Sequence, residues 1–79
     1  QRRIRMIKVK FIEEDTATDT WYVYGSDGFA YPHDTSSWFN GLDTLVNTIH
    51  SVGGLGIYRG VTRTPDPNNK VVWGCKDGN

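Results

Sequence analysis

Cysteine is almost missing from this chain: Cys75 is the single one in 79 residues. An intramolecular disulfide needs two, so the covalent staple used by many mini-domains is excluded. Soft metal ligands are equally scarce. His33 and His50 stand far apart, with no Cys-x-x-Cys or His-x-x-x-His partner. No apolar run approaches the roughly eighteen residues that span a bilayer, so no membrane-spanning helix is expected. The N-terminal arginines are not followed by an apolar stretch and cleavage site of the signal-peptide kind. Together these absences give the expectation of a reducing, cytoplasmic setting.

Basic residues are absent from the whole middle of the chain. Between Phe11 and Tyr58 there is no Lys or Arg, while Glu13, Glu14, Asp15, Asp19, Asp27, Asp34 and Asp43 give that stretch seven negative charges. The overall formal charge of zero therefore hides an acidic centre flanked by basic ends. Met6 opens the strand-like Ile-Lys-Val-Lys-Phe, so Met6 is expected to be the native start and residues 1–5 a non-native extension. Counted from Met6 there are six basic and nine acidic residues, a net charge of −3.

What the chain does have is aromatics: three Trp, four Tyr and three Phe. A domain of this size buries only about 60–70% of its unfolded surface, so stability must come from packing large rings or from homo-oligomerisation. The pattern predicts one α+β domain over residues 1–79, with 76–79 as a frayed tail. Ile7, Val9 and Phe11 alternate with Lys8 and Lys10, the period of a half-buried strand. Thr20–Tyr24 is β-branched and aromatic, Gly25-Ser26-Asp27-Gly28 reads as a hairpin turn, and Phe29–Tyr31 returns to a stop at Pro32. Trp38, Leu42, Leu45, Ile49 and Val52 fall at helical spacing, which predicts an amphipathic helix over Ser36 to Ser51. Asp34, Thr35 or Ser36 would cap it. Asn40-Gly41 weakens the first turn, so regular helix is expected only near Leu42, and Gly53-Gly54 ends it. Leu55–Arg63 reads as a fourth strand and Val71–Cys75 as a fifth, with Val71, Trp73 and Cys75 on one face; Thr64 to Asn69 is a loop by composition. The expected fold is thus an antiparallel sheet of about five strands, β-β-β-α-β-β, with the helix on one face.

Each candidate for chemistry has a simpler explanation. His33, Asp34, Ser36 and Ser37 contain the residue types of a nucleophile and base, but capping accounts for Asp34 and Ser36. His50 suits a helix C-terminus. Glu13-Glu14-Asp15 with Asp19 lacks the glycine and terminal glutamate of a calcium loop. Gly53-Gly54-Leu55-Gly56 follows a helix, whereas phosphate loops precede one. No catalytic, cofactor or metal residue is assigned. If Trp21 and Val23 point into the core, Tyr22 and Tyr24 point away from it and offer large rigid contacts. The absence of nearby Lys or Arg argues against base stacking there. The recognition surface is therefore expected at Glu13, Glu14, Asp15, Asp19, Tyr22, Tyr24 and Asp27, facing a protein partner with a basic surface.

The string Ser37-Trp38-Phe39-Asn40-Gly41-Leu42 is similar to a segment of a type I-F anti-CRISPR protein. A partly acidic α+β chain of this length without catalytic residues resembles the short phage-encoded inhibitors of host machinery. The resemblance implies a non-catalytic inhibitor acting in a host cytoplasm against a nucleic-acid-handling partner, and it assigns no residue a role. The alternative is a small nucleic-acid-binding domain. It would use Lys8, Lys10, Arg59, Arg63, Lys70 and Lys76 as a basic strip, extended by Arg2, Arg3 and Arg5 if these are native.

Overall fold

The structure is a computed structural model, and it describes residues 7–35, 41–55 and 59–74. Four strands and a helix follow one another: β1 (Val9–Asp15), β2 (Thr20–Gly25), β3 (Ala30–Asp34), α1 (Leu42–Ser51) and β4 (Lys70–Gly74). The strands form one antiparallel sheet in the order β3-β2-β1-β4. The architecture is α+β with four strands. Among the described residues, the expected strand over Leu55–Arg63 is reduced to one isolated bridge from Val61 to Ala30; Leu55 is buried in the core, and residues 56–58 lie outside the described residues. Chemistry explains why that bridge is not extended. In antiparallel continuation the next β3 residue on the same row is Pro32, which has no N–H to give a ladder.

A β-bulge decides which residues face the core. Along β1 the register to β2 shifts between Val9 and Phe11, and an inserted residue reverses the alternation of everything after it. The expected row of Ile7, Val9 and Phe11 is therefore broken. Val9 and Ile12 are the buried β1 residues of the core, with Ile7 packed against it, and Phe11 turns to the opposite face. A second shift, between Ile12 and Glu13 against β4, does the same at the sheet edge. There Val72 and Trp73 pack on the core and Val71 is 56% exposed, not the expected Val71–Trp73 row; Cys75 lies outside the described residues.

One face of the sheet carries the core: Val9, Ile12, Val23 and Tyr31 meet Leu45 and Ile49 of α1 and Leu55 beyond it. The helix begins at Leu42, after Asn40-Gly41, and its N-cap is Gly41 with no side-chain cap. Asp34 closes β3 and Thr35 follows it, so neither caps α1 as the sequence suggested; 36–40, with Ser36 and Trp38, lie outside the described residues. At the other end the stop is a Schellman pair. Gly53 N–H bonds the His50 carbonyl at 3.2 Å and Gly54 N–H bonds that of Ile49 at 2.8 Å, with both glycines at positive φ. Those amides are spent on ending the helix, which leaves them no role in cradling a phosphate.

Candidate functional site: a buried ion pair under a crossing segment

The face opposite the helix is built by the residues that the β1 bulge turns outward. Phe11 pairs with Tyr24 and Glu13 with Tyr22 across β1 and β2. The Phe11 and Tyr24 rings stack at 4.5 Å between centroids and 12° between planes. The chain after the helix crosses this face: it bridges β3 at Val61, passes β2 and β1 at Arg63 to Asp66, and enters the far edge as β4. Gly60 makes this approach possible. A Cβ there would stand 3.0 Å from the Tyr31 ring and 3.1 Å from the Phe29 Cβ.

Glu13 is the post that holds the crossing segment down. It is fully buried, and its carboxylate accepts three bonds. Oε1 takes one from Arg63 Nη2 at 2.8 Å and one from the Tyr24 hydroxyl at 3.0 Å; Oε2 takes the Asp66 backbone N–H at 2.7 Å. Arg63 also donates from Nε to the Tyr24 oxygen at 3.0 Å, and its guanidinium lies 3.7 Å from the centre of the Tyr22 ring. Every member satisfies another, the condition under which a buried polar network stabilises. Burial by itself would raise the Glu13 carboxyl; the bonds from Arg63, Asp66 and Tyr24 outweigh it and hold the group below its ordinary value. Burial likewise pushes the Tyr24 phenol up. Burial works against the charge on Arg63, but its bonds to Tyr24 and Glu13 prevail and raise it further. A carboxylate so held is a poor proton shuttle near neutral pH.

The seven expected recognition residues are consequently distributed over three places. Glu13, Tyr22 and Tyr24 lie in this internal network, on the face away from the helix but under the crossing segment; Tyr24 keeps only 6% of its exposure. Glu14, Asp15 and Asp19 sit at the β1–β2 turn. Asp27 is at the opposite end of β2, in the hairpin to β3, where it accepts the Tyr31 hydroxyl and the Phe29 N–H. Burial, together with that contact, pushes the Tyr31 phenol up to about 12. Strand alternation sends Glu13 and Glu14 to opposite faces. Among the described residues, no three His, Cys, Asp or Glu are close enough to hold a metal ion.

The basic strip is likewise interrupted, because Arg63 faces the Glu13 carboxylate. Lys8 and Lys10 lie at the hairpin end of the sheet, and Lys70 lies across from Glu14. An open groove of about 340 Å³ runs beside the stacked rings, lined by Lys10, Phe11, Tyr24, Ser26, Arg63 and Pro65. The chain matches no protein-family model, no curated protein and no solved structure. The functional argument therefore rests on the arrangement of charge.

His33 is buried on β3, paired across from Trp21. Burial lowers its pKa to about 4, from 6.5. The unfolded chain thus takes up this proton first on acidification, and stability falls as the pH drops from about 6.5 to about 4. The full shift corresponds to about 3 kcal/mol. Urea titrations of the wild type should show this slope, and His33→Gln should flatten it. An unchanged slope in the variant would assign it elsewhere.

Proposed function

We propose that the chain is a non-catalytic protein-binding module, an inhibitor of the anti-CRISPR kind, that presents an acidic surface to the basic groove of a nucleic-acid-handling partner. The observation that supports this reading is the charge at one end of the sheet. Asp15 and Asp34 both stand across from Thr20, one on each side of it, so their carboxylates flank a single position. Asp19 lies in the adjoining turn, in a left-handed conformation, with its carbonyl bonded by the Thr35 N–H. Glu14, next to Asp15, turns to the opposite face across from Lys70 and does not join this group. Acids gathered on a rigid sheet end give a directed field, which speeds encounter with a basic partner and disfavours acidic ones.

The geometry supports nucleic-acid binding less well. Arg63 is engaged by Glu13, and Tyr24 is too buried to stack on a base. The test is inhibition of target-DNA binding by a type I-F surveillance complex, with the intact chain and with Asp15→Lys/Asp19→Lys. Inhibition that weakens by about tenfold or more in the variant supports the proposal. Absence of inhibition, with salt-dependent retention of the chain on DNA, favours the alternative.

A further inference from the structure

We propose that the groove between the β2–β3 hairpin and the crossing segment is a binding site for a small aromatic monocarboxylate. The bulge in β1 is what builds it. It leaves Lys10 without a partner of its own in β2, between Val9, across from Gly25, and Phe11, across from Tyr24. On a regular strand Lys10 and Phe11 would point to opposite faces. Here both line the groove. Bulges recur next to functional sites because they re-aim a side chain in this way. The groove runs from Ser26 to Arg63 and Pro65 with a volume of about 340 Å³, which falls in the roughly 300–1,000 Å³ range of small-molecule sites.

The lining selects the ligand by sign, by amount of charge and by shape. Lys10 and Arg63 line the groove, and no acid does. Among the described residues Lys10 has no carboxylate partner. Arg63 gives Nε to Tyr24 and Nη2 to Glu13; its Nη1 donors have no described partner, and the side chain keeps 24% of its exposure. Glu13 cancels the charge on Arg63, so one net positive charge remains, which matches a monoanion better than a dianionic phosphate. The Ser26 oxygen accepts the Lys8 N–H at 3.1 Å, which leaves its hydroxyl hydrogen to donate to a carboxylate. Phe11, half-buried and stacked on Tyr24, supplies an aromatic wall on which a flat ring packs. The site lies at the end of β2 opposite Asp15 and Asp34, so it stands independently of the acidic surface and of the function proposed for it.

Three probes with one ring system test the assignment: naphthylacetate, naphthylacetamide and naphthyl phosphate. Each is titrated into the full, isotopically labelled chain, with amide chemical shifts as the readout. Naphthylacetate should bind with a Kd of about 1 mM, as suits an open groove, and move the amides of Lys10, Phe11, Ser26, Gly28 and Thr64. The neutral amide should bind about fivefold more weakly, the worth of one exposed ion pair. Lys10→Gln should abolish that difference, while Lys70→Gln, a cation on β4 that does not line the groove, should preserve it. Absence of shifts at the groove, or equal binding of acid and amide by the wild type, would overturn the proposal without recourse to a variant. Tighter binding of naphthyl phosphate than of naphthylacetate would overturn the monocarboxylate assignment.

Discussion

Arg63→Ala is expected to lower the unfolding free energy by about 3 kcal/mol. Removing one partner of a buried pair costs about 3–5 kcal/mol, because the other charge stays buried and uncompensated. The lower end applies because the Arg63 side chain keeps 24% of its exposure while Glu13 keeps 1%. Against a typical total of about 5–15 kcal/mol this is a large fraction of the stability. Glu13→Gln in the Arg63→Ala background should recover about 1–2 kcal/mol, since a neutral amide still accepts a bond from Asp66 N–H or Tyr24 and needs no counter-charge. Acid separates the two states further. In the wild type the Glu13 carboxyl lies below its ordinary 4.5, so its contribution is present above that pH and is lost as pH falls through the lowered value. Without Arg63, burial dominates and the carboxyl rises, so protonation relieves the variant and the gap to wild type narrows on acidification. Urea unfolding of the four chains of this cycle at several pH values measures each term. A cost for Arg63→Ala below about 1 kcal/mol would make the pair equivalent to a surface ion pair and would sink this account of how the crossing segment is held.

The same pair marks the limit of what the sequence disclosed. The helix was legible because its signal is local: Leu42, Leu45 and Ile49 recur at helical spacing, and Asn40-Gly41 and Gly53-Gly54 punctuate it. The first three strands and the hairpin at Gly25 to Gly28 were legible for the same reason, but not their ends: β1 runs on through the acidic stretch to Asp15, and β3 passes Pro32, where a stop was expected, to end at Asp34. Glu13 was not, because it stands in a run with Glu14 and Asp15 that reads as a solvated acidic turn. Its partner Arg63 lies fifty positions on, in a stretch that reads as strand and loop. Only the tertiary crossing brings the two together, and no period or spacing encodes it. The acids at the β1–β2 turn were visible as composition. Their alignment with Asp34 across Thr20 required the β2–β3 register.

The bulge in β1 is the second point where local pattern gave the wrong face, and it makes the other large prediction. Simple alternation from Ile7 puts Phe11 in the core and Ile12 outside; the structure puts Ile12 in the core, fully buried against Val23, Leu45 and Ile49. Ile12→Ala should therefore cost about 2–5 kcal/mol, the transfer of the lost methyl groups plus the cavity left in a close-packed site. Phe11→Ala removes the larger side chain. Phe11 is only half-buried, on the far face, where its defined partner is the Tyr24 ring and the groove beside it is already open. Its loss should cost about 1–2 kcal/mol, a stacking contribution of about 0.5–1.5 plus partial burial. The order of the two effects is thus the reverse of side-chain size. Thermal or urea unfolding of both variants decides it: a greater loss from Phe11→Ala would restore the unbulged register, and with it Glu13 would move to the helix face. That face is lined by Leu45 and Ile49, apolar surroundings that penalise a carboxylate. The bulge is what allows one strand to supply both the apolar core residue and, on its other side, the charged post of the crossing segment.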